Sequence, residues 1–400
     1  MVTLADIETA RRHIRDSVFL SPCAYTETLS RMTDCRLFLK LENLQMTGSF
    51  KERGALNKIL SLSDAQKAAG VIAASAGNHA QGVAHAARLN GIKATIVMPE
   101  TTPLAKIQGT LALEAEIILY GSGYDEAYTK ARELQEIHDY TFIHAFDDPA
   151  VIAGQGTIGL ELLEQVPDLE VVIVPVGGGG LIAGIATAIK TQRPEVRIIG
   201  VETSRLPAMQ ASLKAGHIQP LPAAKTLADG ISVAVVGSHT FPIVSRYVEE
   251  IVTVSEEEIA NAILILLERE KTLTEGAGAV GFAALYQHRI AGVTGKTGVV
   301  ILSGGNIDMT LLSRIIERGL EIDGRLARIK VVVPDMPGSV ARLTTIIASE
   351  RANIFDLSQS RPASDVQLGQ AEITLMLETR GREHVQELIS AIQVAGFTVM

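Results

Sequence analysis

Val171-Val172-Ile173-Val174-Pro175-Val176-Gly177-Gly178-Gly179-Gly180-Leu181-Ile182-Ala183-Gly184-Ile185-Ala186-Thr187-Ala188-Ile189 is the first landmark of the sequence. It carries no charge and is long enough to invite comparison with a membrane span. Pro175 and four consecutive glycines lie at its centre, and an intact helix through them is heavily penalised. The better reading is a strand buried on both faces, Val171–Val176, then a tight loop, then a buried helix from Leu181 to Lys190. Glycines in such a loop let backbone amides approach a phosphate with no Cβ in the way, and the helix N-terminus adds its dipole. The loop alone leaves open whose phosphate it is. Gly178-x-Gly180-x-x-Ala183 matches the dinucleotide fingerprint, and Glu202 stands where a ribose-binding acid belongs. A nicotinamide-dependent oxidoreductase is therefore a rival reading.

The same grammar extends outward. Val71–Ala74, Ala94–Met98, Glu116–Leu119, Arg197–Val201 and Gly298–Leu302 are short β-branched runs. Helical patterns lie between them, as at Asn78–Asn90, Tyr124–Glu136 and Gly156–Glu164. Alternating strands and helices build parallel sheets covered on both faces. Ser255-Glu256-Glu257-Glu258 is a capping box ahead of a helix over Ile259–Lys271. Near residue 325 the texture changes. Arg328–Val333, Asn353–Gln359, Leu368–Glu378 and Phe397–Met400 read as strands, Ser339–Glu350 and Arg382–Gln393 as helices. That order, β-α-β-β-α-β, is a split βαβ unit of ferredoxin-like form.

Composition narrows the function. Among 400 residues, 36 are basic and 45 acidic, a net charge of −9 that argues against a nucleic-acid partner. Hydrophobic residues at 47% suffice for a large core, while 4% aromatics and no Trp give little support for base-stacking platforms. Cys23 and Cys35 make neither a disulfide framework nor a zinc spacing. His79 and His85 lie six apart, as do His138 and His144, which places each pair on opposite faces of a helix, so no metal site is expected. Asp6, Glu8, Arg11, Arg12 and Arg15 alternate with Leu4, Ile7 and Ile14 in an amphipathic N-terminal helix rather than a signal peptide. The expected address is the cytoplasm, with no membrane partner.

The remaining chemistry clusters at strand ends, the edge where α/β sheets bind ligands. Ser49-Phe50-Lys51-Glu52-Arg53-Gly54-Ala55 follows an apparent strand, Leu37–Leu41. Ser75-Ala76-Gly77-Asn78-His79 joins a strand to a helix start, and Leu302-Ser303-Gly304-Gly305-Asn306 ends another strand. Together with the tetraglycine loop, in this order, these motifs resemble the serine/threonine dehydratase family of fold type II pyridoxal-phosphate (PLP) enzymes over roughly residues 5–320. Asp335-Met336-Pro337-Gly338 after the tail's first strand resembles an ACT regulatory domain.

The resemblance implies an α/β fold with two parallel-sheet subdomains, like the tryptophan synthase β-subunit, followed by a ferredoxin-like ACT domain. It implies a catalytic domain over 1–325, with a smaller subdomain at roughly 45–150, and an ACT domain over 326–400. PLP would join Lys51 as a Schiff base, flanked by Phe50. Gly177, Gly178, Gly179, Gly180 and Leu181 would hold its phosphate, Asn78 its ring oxygen, and Ser303 would face its pyridine nitrogen. Ser75, Ala76, Gly77 and Asn78 would bind the substrate carboxylate. The implied reaction converts L-threonine to 2-oxobutanoate and ammonia, with L-serine going to pyruvate as a side activity. Serine dehydratase, or a ligand sensor keeping a dead fold, are alternatives. Glu275 is either near the ring or a capping or salt-bridged carboxylate. Pro337, Gly338 and Ser339 would bind a branched-chain amino-acid effector, in a homo-oligomer (a dimer or tetramer) serving either biosynthesis or catabolism. Two departures matter. Ala76 stands where related serine racemases carry a proton-donating serine, which disfavours racemisation. Ala208 replaces the second acid of their metal pair, leaving Glu202 alone.

Overall fold

The computed structural model describes residues 1–361 and 367–400, in two compact units, Met1–Asp308 and Met309–Met400. Within the first unit the apolar runs sort into two sheets. The larger has the order Cys23–Tyr25, Arg36–Leu41, Thr297–Leu302, Val171–Pro175, Arg197–Thr203, Glu250–Val254. It is parallel except for its short antiparallel edge strand Cys23–Tyr25. The smaller sheet, ordered Glu116–Leu119, Ala94–Met98, Val71–Ala74, Thr141–Phe142, is parallel throughout. Central strands such as Val171–Pro175 and Thr297–Leu302 are buried at every residue, as coverage on both faces requires.

Local signals set the helix ends. The Ser255 capping box opens the helix Glu256–Glu270 with both reciprocal hydrogen bonds in place. The helix expected over Gly156–Glu164 begins seven residues earlier. It runs Pro149–Gln165, with Asp148 as N-cap and Pro149 in its first turn, a start signal legible in the sequence but not read there. The stretch Val171–Ile189 is not a span: after the glycines, the helix is Gly180–Gln192, and among the described residues no helix is long and apolar enough to cross a membrane.

The helices Pro149–Gln165 and Gly180–Gln192 cross with their backbones nearly touching. A Cβ on Gly184 would lie 2.4 Å from the Ile152 carbonyl oxygen and 2.6 Å from the Gly156 nitrogen. The second unit is a four-stranded antiparallel sheet ordered Asn353–Ser360, Gln370–Glu378, Leu326–Pro334, Thr398–Val399. Leu343, Ile347, Leu388 and Ile392 from the helices Ser339–Ser349 and Arg382–Val394 fill its core. The helix Met309–Ile322 packs on the Leu326–Pro334 strand.

The Gly184 contact gives a test of sign. Alanine favours a helix interior over glycine by about 1 kcal/mol, yet here the methyl would meet backbone that cannot yield. Gly184→Ala is expected to destabilise the protein by about 1–3 kcal/mol in chemical denaturation. A stability gain would show that the two helices can part freely.

Candidate active site

Neighbouring strand ends bring the Lys51 and Ser303 motifs together. Arg36–Leu41 and Thr297–Leu302 pair in parallel, so the segments leaving them run side by side. Phe50 N–H donates to Ser303 O at 3.1 Å, Gly305 N–H to Gly48 O at 2.9 Å, and Ser49 bridges Gly304. The helix Lys51–Leu60 starts there. Lys51 Nζ donates to the Ala145 carbonyl at 2.9 Å and lies 5.1 Å from the Phe50 ring centroid. Burial pushes its pKa down to about 8, against the opposing pull of the Glu275 charge. The neutral, nucleophilic amine is therefore far better populated near physiological pH than on an ordinary lysine, though still the minor form.

A buried quartet anchors this helix. Arg53 donates to both oxygens of Glu42 at 2.8 Å and to Glu161 Oε1 at 2.6 Å. Lys40 Nζ donates to Glu161 Oε2 at 2.6 Å and to the Ser21 carbonyl at 2.8 Å. All four side chains are buried. The Arg53 charge holds the Glu42 carboxyl below its ordinary value in spite of the upward push of burial.

Asn78 opens the helix Asn78–Leu89 at the end of the strand Val71–Ala74, and Gly77 N–H donates to Ser75 Oγ at 3.2 Å. Asn78 Nδ2 donates to Glu275 Oε1 at 2.7 Å, while its Oδ1 is buried without a partner. Glu275 precedes the helix Gly276–Tyr286 but makes no capping bond to it. Burial first, then the Asp229 charge, push its carboxyl up to about 7, with Asn78, Lys106 and Lys51 pulling the other way. Of the two alternatives for Glu275, the structure thus rejects a cap and places it beside Asn78.

Each of the four glycines has protein where a side chain would stand. A Cβ on Gly178 would fall 2.3 Å from the Phe146 ring, one on Gly180 would lie 2.8 Å from Phe146 O, and Gly179 has φ +95°. Thr240 Oγ1 donates to Gly178 O at 2.6 Å. Leu181, in the first turn of the following helix, is buried.

The segment Ile143–Asp147 joins these parts, and no motif in the sequence announced it. Ile143 O is 2.8 Å from His79 Nε2, Ala145 O takes Lys51, and Phe146 abuts the glycines. His144 Nδ1 accepts from Phe146 N and Asp147 N at 3.2 Å and 2.9 Å. Asp147 in turn accepts from Ser238 N and His239 N at 2.9 Å and 2.8 Å. The one sequence signal was a helix-starting Asp-Pro immediately afterwards.

The structure thus brings together Phe50, Lys51, Asn78, Ser303 and, through Ala145 and Phe146, Gly178 and Gly180. Ser75, Ala76 and Gly77 lead into the Asn78 helix start. Pro337, Gly338 and Ser339 belong to the second unit, where Gly338, at φ +94°, precedes the helix Ser339–Ser349. Glu202 corrects the nicotinamide rival. Its two oxygens accept the Met209 and Gln210 amides, each at 2.8 Å, and the residue is 1% exposed, so it caps a helix instead of meeting a ribose.

A family model described as "Pyridoxal-phosphate dependent enzyme" matches residues 14–304, and one described as "ACT domain" matches residues 327–397. An L-threonine ammonia-lyase of Thermotoga maritima is 50% identical over 399 residues, covering 100% of this chain and 99% of its own. A processed threonine deaminase isoform 2 from Solanum lycopersicum superposes with a TM-score of 0.74 at 41% identity, over 78% of this chain and 91% of its own. Maize serine racemase superposes with a TM-score of 0.75 at 34% identity, over 80% of this chain and 98% of its own.

The quartet predicts an acid-dependent stability. Glu42→Gln leaves Arg53 short of a buried partner and is expected to destabilise the protein by about 3–5 kcal/mol at neutral pH. Because the folded pKa of Glu42 is depressed, its contribution is complete above the unfolded value of 4.5 and is lost as pH falls below it. Urea denaturation of both proteins should therefore show the gap closing in acid. A gap that does not change with pH would mean that Glu42 is not the charged partner.

Proposed function

The chain belongs to the pyridoxal-phosphate dependent enzymes and carries an ACT domain behind its catalytic unit, and from this premise we propose how its residues run an ammonia-lyase reaction on L-threonine. Its likeness over its whole length to an L-threonine ammonia-lyase supports the activity. The residues present fit PLP. A half-buried lysine with a depressed pKa, an Asn78 amide left unpartnered on one side and a glycine loop at a helix start are what an aldehyde, a ring oxygen and a phosphate call for. The observation that carries the reading is Lys51, an amine of lowered pKa set against a backbone carbonyl.

In this reading Lys51 carries the cofactor, with Phe50 against it, and the amides of Gly177, Gly178, Gly179, Gly180 and Leu181 hold the phosphate. Bound PLP supplies an electron sink beside the substrate's α-carbon. The helix start at Asn78, with Ser75, Ala76 and Gly77, takes the substrate carboxylate and orients the α-proton towards Lys51. The Lys51 amine removes that proton as general base. Ser303 offers the ring nitrogen a hydroxyl without a charge, which keeps the sink weak and favours loss of the β-hydroxyl over transamination. Ala76 has no proton to return to the opposite face, so elimination prevails over the racemisation for which the maize protein is named.

The substrate pocket favours threonine over serine, and the margin is modest because one methyl in an apolar pocket is worth about 1–3 kcal/mol. The ACT unit supports regulation by an amino acid. We assign the effector to the branched-chain class, isoleucine or valine, held at Pro337, Gly338 and Ser339 in a cytoplasmic homo-oligomer.

Two experiments test this reading. The purified protein should be yellow, and borohydride should fix PLP on Lys51 while L-threonine and L-serine both yield 2-oxoacids. A colourless protein without a Lys51 adduct, or appreciable conversion of L- to D-serine, would overturn it. Titration with isoleucine and valine should change the threonine rate of the full chain, and Gly338→Ala, which places a Cβ at φ +94°, should blunt that response without altering the basal rate. Indifference of the full chain to both amino acids rules out the effector.

A further inference from the structure

The Asn78 amide is satisfied on one side only. Its Nδ2 donates to Glu275 Oε1 at 2.7 Å, and its Oδ1 is buried with no partner. Glu275 is 4% exposed and spends none of its length on capping the helix that follows it. Two glycines crowd the same carboxyl. A Cβ on Gly304 would come within 2.6 Å of Oε1, and one on Gly230 within 3.2 Å. This is a carboxyl enclosed against a single amide, with room for little else. A carboxylate can only accept, whereas a carboxylic acid can also donate, and an amide offers a donor on one side and an acceptor on the other. The proton state of Glu275 and the orientation of Asn78 are therefore tied.

We propose that Glu275 is a positioning residue that sets which atom of the Asn78 amide is turned towards the cofactor ring. As a carboxylate it takes Nδ2 and leaves Oδ1 facing inward. As a carboxylic acid it donates to Oδ1 and frees Nδ2. The ring oxygen of PLP is an anion near neutral pH, so it is attracted to Nδ2 and repelled by Oδ1. Cofactor loading is then coupled to uptake of one proton at Glu275. The inference rests on the reading that Asn78 meets the ring oxygen.

The surroundings allow both forms. The charged groups facing Glu275 are Asp229 and Lys106, themselves paired at 2.8 Å, and Lys51. Burial and Asp229 raise the carboxyl to about 7, so the acid and the carboxylate coexist near neutrality and little free energy separates them.

Equilibrium PLP binding to wild type, Glu275→Gln and Asn78→Ala, followed by absorbance from about pH 6 to about pH 8.5, tests the coupling. A glutamine has no proton to lose and is able to donate to Oδ1 at every pH, so it stands in for the protonated acid. Wild-type affinity relative to Glu275→Gln should fall roughly fivefold between pH 7 and pH 8, the fall in the protonated fraction of a group titrating near 7. A ratio that stays flat over the range overturns the proposal. Asn78→Ala gives a second reading should Glu275→Gln fold poorly. It should bind PLP more weakly than wild type in acid, with the gap narrowing above neutrality. A constant gap sinks the Glu275 coupling alone. No gap at any pH sinks the contact between Asn78 and the cofactor, and the coupling with it.

Discussion

The placement of Lys51 depends on a buried electrostatic cluster two residues away. Lys40 comes from a strand, Glu42 from the turn after it, Arg53 from the helix that Lys51 begins, and Glu161 from the helix Pro149–Gln165. Desolvation offsets most of the attraction in such a cluster, so it is a poor source of net stability compared with apolar packing. Its geometry is directional, however. The guanidinium fork of Arg53 satisfies Glu42 with two parallel bonds and reaches Glu161 with a third, and only one rotation of the helix about its axis allows this. With that rotation set, the first residue of the helix meets the Ala145 carbonyl.

The site then avoids fixed charge. Burial drives Lys51 and Glu275 towards their neutral forms, each opposed by the charge of the other. His79 is pushed further, down to about 3 by burial and by Lys51, and stays a neutral ring against the Ile143 carbonyl. The anion-binding element we propose is likewise neutral in composition: glycine amides and the N-terminus of the helix Gly180–Gln192. A phosphate held by dipoles instead of a lysine leaves the one reactive amine free of a competing anion partner.

The sheets and the β-α-β-β-α-β tail were legible because their strands are short apolar runs bounded by turn residues, as at Val71–Ala74 and Ala94–Met98, whose limits match the structure. The edge strands Cys23–Tyr25 and Thr141–Phe142 escaped notice because three and two residues carry no periodicity. The motifs at Lys51, Asn78, the glycines and Ser303 stood out as small-residue loops at strand ends. Their partners did not. Phe146 is a lone aromatic in a polar segment, and its relation to Gly178 exists only once two sheets are folded together.

The glycines show where sequence reasoning gave the right residues for an incomplete reason. The tetraglycine was read as a surface kept bare for a phosphate. All four have no room for a side chain because protein, not ligand, lies within 3 Å of the missing Cβ: Ile231 at Gly177, Phe146 at Gly178 and Gly180, and Met209 and Thr240 at Gly179. Gly179, at φ +95°, needs a left-handed backbone as well. In the proposed reading the same loop is held by close packing where side chains would stand and offers its amides to a phosphate, and these two demands reinforce each other. A loop that is free of side chains but also free to move would pay the entropy of ordering each time a phosphate arrived. Packing the glycines against Phe146 and fastening Gly178 O to Thr240 settles that ordering at the folding step, so the amides of the proposed site would be aligned before an anion arrives.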